Sequence, residues 1–258
     1  MTSVAESHRA SHSGQQFRGR VAFVCGADTG ISHAVAQALA ARGARVALAV
    51  VGKSAPAKAV APSIDGGALL PIDLRLPDSV NAAVTGARAA CGPIEILVNC
   101  TEAPIEKSFL ETDETHWREL VQVSLFGVFR VTQLVIPEMI ERGFGRVVNI
   151  TSDAGRVGGA GQAIDAGCAG GVIAFTKTIA RELARSSITA NTVCCGPMDD
   201  QTAKPGAAGD SEARLRSIPL RRLGQPSEIG AAVAFLASEE AGFITGQTLS
   251  VNGGTSMS

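Results

Sequence analysis

Short apolar runs alternate along the chain with longer stretches in which apolar positions recur at helical spacing. The runs predict strands, and the longer stretches predict helices. The predicted strands cover residues 20–25, 45–51, 68–73, 95–99, 147–150, 189–194 and 248–251, and the main helices cover 33–42, 78–91, 116–142, 163–185 and 227–237. Strands that are nearly continuous in apolar residues are typical of a parallel sheet covered on both faces. The pattern therefore predicts one α/β domain, with a doubly wound, seven-stranded parallel sheet and helices on both faces.

A glycine-containing turn, GADTGIS, follows the first predicted strand and opens the first helix. A strand–turn–helix–strand unit of this kind is typical of the first half of a dinucleotide-binding fold. Such a turn uses three glycines, for the tight bend, for the approach of the pyrophosphate and for helix packing. Gly26 and Gly30 hold two of these positions and Ser32 holds the third. Gly26 and Gly30 are therefore candidate cofactor-binding residues.

Composition narrows the functional classes. The chain has 258 residues, 45% of them hydrophobic and 18% charged, and a formal net charge of −1. This composition indicates a globular protein and does not favour nucleic acid or an anionic membrane as a partner. The longest apolar runs are strand-sized or are broken by Gly, Arg and Pro, so we expect no membrane span. The Ser- and His-rich residues 1–16 are expected to be a disordered tail, not a signal peptide, and residues 17–258 the domain, with a mobile flap at about 198–215.

The six cysteines lack the spacing of a zinc site, and no group of residues suggests another metal. Free thiols in a cytoplasmic protein are the simplest interpretation. Four of the cysteines, Cys25, Cys100, Cys194 and Cys195, are predicted to lie at strand ends facing one crevice. A redox or thiol-ligand role at that place is the alternative hypothesis.

Several segments in order, ILVN, GRVVNI, GVIAFTK and the closing RLGQPSEIGAAVAFLAS and ITGQTLSVNGG, resemble the short-chain dehydrogenase/reductase family. The resemblance covers about residues 17–256 and is closest to the branch of β-ketoacyl-thioester reductases and 3-hydroxyacyl-CoA dehydrogenases. It implies a Rossmann-like fold, carbonyl reduction with NAD(P), and assembly as dimers of dimers. In that assembly the helices at 116–142 and 163–185 pack against a neighbouring subunit.

The family keeps a serine at the end of the fifth strand, a Tyr-x-x-x-Lys pair on the next helix, and an asparagine on the preceding long helix. The resemblance places Ser152, Asp165, Ala169 and Ser124 at these positions, and the chain contains no tyrosine. The tyrosine hydroxyl, whose pKa of about 10 is lowered by the lysine, gives a proton to the carbonyl. An aspartate is ionised at neutral pH and has no proton to give. We therefore predict that no catalytic residue is intact: Ser152 is vestigial, possessing only a local backbone hydrogen bond, and Asp165, Ala169 and Ser124 are degenerate.

The cofactor positions implied by the resemblance have also changed. Asp73 matches the adenine-side aspartate of the family, although capping of the following turn is an alternative role for it. The Asn-Asn-Ala-Gly segment of the family reads Asn99-Cys-Thr-Glu102, and an acid, Asp200, stands at a threonine place after the sixth strand. Two acids beside an anionic dinucleotide are unfavourable. We predict that this chain binds no dinucleotide tightly, and that any remaining contacts are degenerate and come from Gly26, Gly30, Asp73 and Asn99.

The sequence thus predicts a catalytically silent subunit that assembles with an active NAD(P)-dependent paralogue, in a heterotetramer acting on an acyl-CoA-type thioester. Heteromeric hydroxyacyl-CoA dehydrogenases with one silent subunit, such as that of anaerobic toluene (benzylsuccinate) breakdown, are the kind of system it resembles. Two alternatives remain open. One is an active oxidoreductase, or a cofactor-free lyase or isomerase, that uses Asp165 and Ser152, with Asp153, in place of the Tyr–Lys pair. The other is a ligand-sensing module.

Overall fold

A computed structural model describes residues 15–26, 29–51, 64, 66–100, 107–199 and 212–257. Seven parallel strands form one sheet in the order β3-β2-β1-β4-β5-β6-β7. They are β1 Val21–Gly26, β2 Arg45–Val50, β3 Ala68–Pro71, β4 Ile96–Cys100, β5 Gly145–Ser152, β6 Ile188–Cys195 and β7 Thr248–Val251. The strand order reverses between β1 and β4, which is the switch point of a doubly wound sheet. The predicted seven-stranded, Rossmann-like fold is confirmed.

Helices cover both faces of the sheet. They are α1 Gly30–Ala40, α2 Pro77–Cys91, α3 Glu114–Val121, α4 Gly127–Arg142, α5 Ala154–Val157, α6 Ala163–Leu183, α7 Glu212–Ser217 and α8 Pro226–Ala237. One buried apolar cluster lies between the sheet and helices α1 and α8, and a second lies between the sheet and helices α2, α4 and α6. Because strands β1 to β6 contribute to both clusters, most of their residues are apolar.

Two local features differ from the prediction. The single helix predicted over 116–142 begins at Glu114 and contains a π-helical segment, Gln122–Phe126, between α3 and α4. The short helix α5 lies between the predicted strand 147–150 and the predicted helix 163–185, where no element is predicted. The elements elsewhere match the predicted ones with small shifts at their ends.

The predicted tail and flap lie mostly outside the described residues, which exclude 1–14 and 200–211. Next to the tail, Phe17 is buried, and its backbone N–H donates to Arg42 O at 2.8 Å. Within the predicted flap, Met198 forms a bridge with Gly224, and residues 212–217 are helical. The mobility of the tail and of the flap stays a prediction.

A row of polar side chains crosses the sheet on the face covered by α4 and α6. Its members are paired in register on five neighbouring strands: Cys25, Asn99, Asn149, Thr192 and Thr248. Asn99 Nδ2 donates to Asn149 Oδ1 at 2.7 Å, and Asn149 Nδ2 donates to Thr176 Oγ1 of α6 at 2.8 Å. The buried hydroxyls of Thr192 and Thr248 have no hydrogen-bond partner in the described part of the chain. We call these five residues the polar row.

Two helical stretches, Glu114–Arg142 and Ala163–Ser186, are long and apolar enough to pass a length-and-composition test for membrane spans. Core helices pass the same test, and both stretches here cover the sheet. Of the tested windows, 33% and 39% are buried within this chain. Three phenylalanines on these stretches, Phe126, Phe129 and Phe175, lie side by side, with 4.6 Å between the ring centroids of Phe129 and Phe175. We call these three residues the aromatic face.

Candidate functional site

The carboxyl ends of the strands bring most of the predicted site residues to one edge of the sheet. Gly26 ends β1, Ser152 ends β5, and Asp73 follows β3 by two residues. Doubly wound sheets bind their ligands at this edge, beside the switch point. Glu102 and Asp200, the two acids expected to oppose a dinucleotide, lie outside the described residues.

The start of α1, which follows the predicted glycine turn, is capped by the chain's own hydrogen bonds. Gly26 has a φ of +137°, a conformation that favours glycine, and Gly30 begins α1. Thr29 caps the helix: its backbone N–H donates to Ser32 Oγ at 3.2 Å, and Ser32 N–H donates to Thr29 Oγ1 at 3.4 Å. This capping box satisfies N–H groups at the helix start, the region that dinucleotide-binding folds use for the pyrophosphate. The serine at the third glycine position therefore serves the turn itself.

Both carboxylate oxygens of Asp73 are held by Arg75. Asp73 Oδ1 accepts hydrogen bonds from the Arg75 backbone N–H at 3.0 Å and from Nε at 2.9 Å, and Oδ2 accepts from Nη2 at 2.7 Å. The hydrogen bonds from the Arg75 side chain hold the pKa of the Asp73 carboxyl below its usual range. The alternative role of Asp73, capping of the following turn, is thus present in the structure.

Asn99 lies at the right end of β4, but its side chain is fully buried. It belongs to the polar row: Nδ2 donates to Asn149 Oδ1 and, at 3.3 Å, to Thr132 Oγ1 of α4, while Oδ1 accepts from the Cys25 thiol at 3.3 Å. The amide therefore joins two strands and a helix within the core, and it does not face the strand-end crevice.

Ser152 makes the local contact expected of a strand-end hydroxyl: its Oγ accepts from the Ala154 backbone N–H at 3.1 Å. The next residue, Asp153, is buried and has a different role. Its Oδ1 accepts from Ser250 Oγ at 2.9 Å, and its Oδ2 accepts from Asn252 Nδ2 at 2.9 Å and from the Ser256 hydroxyl. We call Asp153 and these three partners the C-terminal clamp, because they attach the end of the chain to the end of β5.

The clamp is the feature that sequence reasoning missed. The alternative hypothesis of a cofactor-free enzyme uses Asp153 together with Asp165 and Ser152. The Asp153 carboxylate is instead occupied by residues that follow it by 97 to 103 positions. An acid directly after a buried strand was the available signal, but its partners could not be read from periodicity.

Asp165 and Ala169 lie one helical turn apart at the start of α6. Asp165 is half-buried and lines a cavity of about 10 Å³ together with Lys107 and His116. A volume of this size holds about one water molecule. Ala169 is only 3% exposed, and α5 lies directly on it: a Cβ added to Gly155 would be 2.6 Å from the Ala169 Cβ. The two residues that the resemblance places at the Tyr-x-x-x-Lys pair are therefore a carboxylate beside a very small cavity and a buried methyl group.

Ser124 lies in the π-helical segment, where it is half-buried. This segment packs on α6, since a Cβ added to Gly171 would be 3.0 Å from Leu125 Cδ1. Ser124, which the resemblance places at the position of the family's asparagine, thus lies in a segment that packs on the helix carrying Asp165.

The expectation that four cysteines face one crevice is wrong. Cys25 lies in the apolar cluster beneath α2, α4 and α6, whereas Cys100 and Cys195 lie in the cluster beneath α1 and α8. All four are buried, and burial raises the pKa of the Cys25 thiol far above its ordinary value. Among the described residues, no group of three or more His, Cys, Asp and Glu side chains is arranged to hold a metal ion.

The parallel sheet, the switch point between β1 and β4 and the glycine turn define a dinucleotide-binding type of α/β protein. A family model described as "Enoyl-(Acyl carrier protein) reductase" matches residues 26–256. The chain therefore belongs to the short-chain dehydrogenase/reductase family, which confirms the resemblance on which the site residues were placed.

Characterised relatives give the branch. The chain is 38% identical over 239 residues to the 3-oxoacyl-[acyl-carrier-protein] reductase FabG of Vibrio cholerae, covering 93% of this chain and 98% of the relative. It is 36% identical over 242 residues to FabG of Escherichia coli K12, covering 93% and 99%. It is 43% identical over 168 residues to the acetoacetyl-CoA reductase of Allochromatium vinosum, covering 64% and 68%. The chain is thus related to reductases of acyl thioesters.

Proposed function

We propose that this chain is a catalytically silent subunit that assembles with an active short-chain dehydrogenase and supports its action on an acyl thioester. The observation that carries the proposal is the state of the Tyr–Lys positions. They hold Asp165, beside a cavity of about one water molecule, and Ala169, buried beneath α5. Carbonyl reduction on this scaffold needs a proton donor and a nearby cation. A carboxylate, with an ordinary pKa of about 4, and a methyl group supply neither.

The described residues fit a dinucleotide only in part, and we propose that this chain does not hold one tightly. Gly26 and Gly30 retain the turn. Against binding, Thr29 and Ser32 close the start of α1, and Asp73 is engaged by Arg75. A bound nucleotide would have to displace these internal contacts before it could make its own. NAD(P) is then expected in the partner subunit.

The aromatic face supports an assembly with a second chain. Phe126 is 42% exposed, while Phe129 and Phe175 are partly buried. An exposed aromatic side chain beside two partly buried ones supports a contact with another subunit at this place. The partner proposed is an active paralogue, because a silent chain can contribute to catalysis only by supporting another one. The thioester substrate is inferred from the names of the characterised relatives.

The proposal is tested by co-expressing this chain with the catalytic short-chain dehydrogenase encoded nearest to it. We expect a mixed assembly by native mass spectrometry and reduction of acetoacetyl-CoA by the assembly. A Tyr→Phe change in the partner's own active site should abolish that activity entirely. Activity that persists in the assembly with the inactivated partner would overturn the proposal, as would micromolar binding of NADH or NADPH by this chain alone in calorimetry.

One observation favours an active enzyme instead: Lys107, His116 and Asp165 line the same small cavity. A carboxylate, an imidazole and an ammonium group together could move a proton without the Tyr–Lys pair. This interpretation predicts that the isolated chain turns over a thioester and that Asp165→Asn abolishes the turnover. Glu111→Gln, which changes an exposed acid outside the cavity, should leave the turnover unchanged. Equal rates in both variants would exclude it.

A further inference from the structure

A second cavity lies at the opposite edge of the sheet from the candidate site. It has a volume of about 490 Å³. Its lining includes residues at or beside the amino ends of β1, β2 and β4, together with the ends of two helices: Val21, Ala44, Arg45, Cys91, Glu95 and Arg142. A strand of six residues separates the two edges by about 20 Å. The volume is in the range of pockets for small molecules, and no step of the proposed function uses it.

Positive charge predominates around this cavity. Arg45 and Arg142 line it, and Arg20 lies beside it. Among the described lining residues, the acid is Glu95, and its side chain is buried. Its Oε1 lies 2.7 Å from Arg20 Nη1 and 3.7 Å from Arg142 Nε. Arg20 is also bound by Glu239, whose Oε1 lies 3.0 Å from Arg20 Nη2. Three guanidinium groups therefore face two carboxylates, and in the described part of the chain neither carboxylate pairs with Arg45.

The ends of helices α1 and α2 oppose this charge, because the carbonyl groups at a helix end carry partial negative charge. Much of that charge is already compensated within the chain. Arg45 Nη1 donates to Cys91 O at 3.0 Å, Gly92 N–H donates to Arg88 O at 2.9 Å, and Gly43 N–H donates to Ala40 O at 2.9 Å. The contact with Cys91 accounts for one nitrogen of Arg45. The other nitrogens of its guanidinium have no partner among the described residues.

We propose that this cavity binds a small multivalent oxyanion, of the phosphate-ester or polyphosphate class. Guanidinium groups bind such anions through paired, charge-assisted hydrogen bonds. Arg45 and Arg142 both line the cavity and provide these donors, and Glu95 Oε1 lies 3.7 Å from Arg142 Nε. The site is distinct from the strand-end crevice and needs no partner subunit, so it goes beyond the proposed function and does not depend on it.

The test is calorimetric titration of the full chain with inorganic pyrophosphate, at constant ionic strength set with chloride. We expect saturable binding with one site. Arg45→Gln and Arg142→Gln should each weaken the affinity by about tenfold, the effect of losing one charge-assisted contact. Arg118→Gln removes the same charge from an exposed position on α3, outside the cavity, and should leave the affinity unchanged. Arg45→Lys keeps the charge and should weaken binding less than Arg45→Gln.

Three results would overturn the proposal. The first is no heat of binding beyond that of a chloride control. The second is an affinity that Arg118→Gln lowers as much as Arg45→Gln, which would indicate a general charge effect. The third is an affinity that Thr29→Ala changes and Arg45→Gln does not, which would place the anion at the start of α1. Circular dichroism of each variant before titration verifies that the fold is retained.

Discussion

At the scale of single residues, three positions that the resemblance assigns to catalysis or cofactor binding make internal contacts. Ser152 binds the backbone of Ala154, Asp73 binds Arg75, and Ala169 packs under α5. A catalytic side chain acts only when its neighbours hold it in the correct geometry. Introducing one such side chain therefore leaves the internal contacts around it unchanged.

Restoring the catalytic pair therefore should not restore activity. In the double variant Asp165→Tyr/Ala169→Lys, we expect no reduction of acetoacetyl-CoA with NADPH above the level of the unmodified chain. The reason is that the capping box of α1 and the Asp73–Arg75 pair still occupy the cofactor side. Robust reductase activity of this variant in a spectrophotometric assay would show that the cofactor site is intact.

Thr192 offers a test of the polar row. Its buried hydroxyl has no partner among the described residues, and an unsatisfied buried polar group costs about 1–3 kcal/mol. Thr192→Val should therefore raise the free energy of unfolding by about 1 kcal/mol in urea denaturation.

Thr176→Val is the matched control for that change. The Thr176 hydroxyl accepts from Asn149 and donates to Val172 O at 2.7 Å, so this variant leaves the Asn149 amide without an acceptor. We expect it to lower the free energy of unfolding by about 1–3 kcal/mol. Equal effects of the two valine variants would mean that hydrogen bonding in the row does not decide stability.

Short-range contacts of single residues could be predicted from the sequence, and long-range ones could not. The local hydrogen bond of Ser152 and the turn contact of Asp73 depend on neighbours within two positions. The clamp at Asp153 depends on residues about a hundred positions away. Periodicity predicts which elements form, but it does not identify which polar groups meet when those elements pack.

At the scale of elements, the start of α8 is stabilised by Glu228. Its Oε2 accepts from Gln225 N–H at 2.8 Å, and Arg222 binds both of its oxygens at 2.6 and 2.8 Å. The hydrogen bonds from Arg222, followed by that from Gln225, lower the pKa of Glu228 from 4.5 to about 2. A carboxyl with a lowered folded-state pKa stabilises the fold above its unfolded pKa, and the effect is lost as the pH falls through the folded value.

Glu228→Gln should accordingly destabilise the chain in a pH-dependent way. At neutral pH we expect a loss of less than about 1 kcal/mol, because the pair is exposed to solvent. The difference between the two proteins should shrink as the pH falls below 4.5 and vanish near pH 2. Urea denaturation across this range measures it, and a difference that is constant with pH would contradict the assignment.

The two elements that the sequence did not predict have physical reasons. The π-helical segment Gln122–Phe126 inserts an extra residue into a helix that is otherwise regular, and such a shift has no composition of its own. Helix α5 lies in a stretch rich in glycine, which disfavours helices. Its close packing on α6 at Ala169 provides the stabilisation that its own sequence lacks.

At the scale of the whole molecule, the C-terminal clamp attaches the last strand to the centre of the sheet. Asp153→Asn should weaken this attachment, because hydrogen bonds to a charged group contribute about 1.5–3 kcal/mol. We expect faster hydrogen–deuterium exchange in Thr248–Val251 and a lower free energy of unfolding. Asp199→Asn, a change of an acid that accepts a single exposed hydrogen bond, is the control and should leave the exchange unchanged.

The aromatic face should control assembly without controlling the fold. Phe126→Ser, in the π-helical segment, is expected to weaken the mixed assembly with the partner subunit in native mass spectrometry while leaving the circular dichroism spectrum unchanged. Phe235→Ser is the matched control: Phe235 has a similar exposure, 46% against 42%, but lies on α8, on the other side of the sheet. Equal losses in the two variants would mean that the aromatic face has no special role in assembly.

The polar row also restricts how the strands can align. Side chains of a strand alternate between its two faces, so sliding β4 or β5 by one residue would turn Asn99 or Asn149 toward the opposite, largely apolar face under α1 and α8. Two buried amides would then lose their partners, while the apolar strand residues around them would pack almost equally well in either alignment. In a sheet whose strands are largely apolar on both sides, these amides favour the correct alignment of β4 and β5 over alignments shifted by one residue during folding.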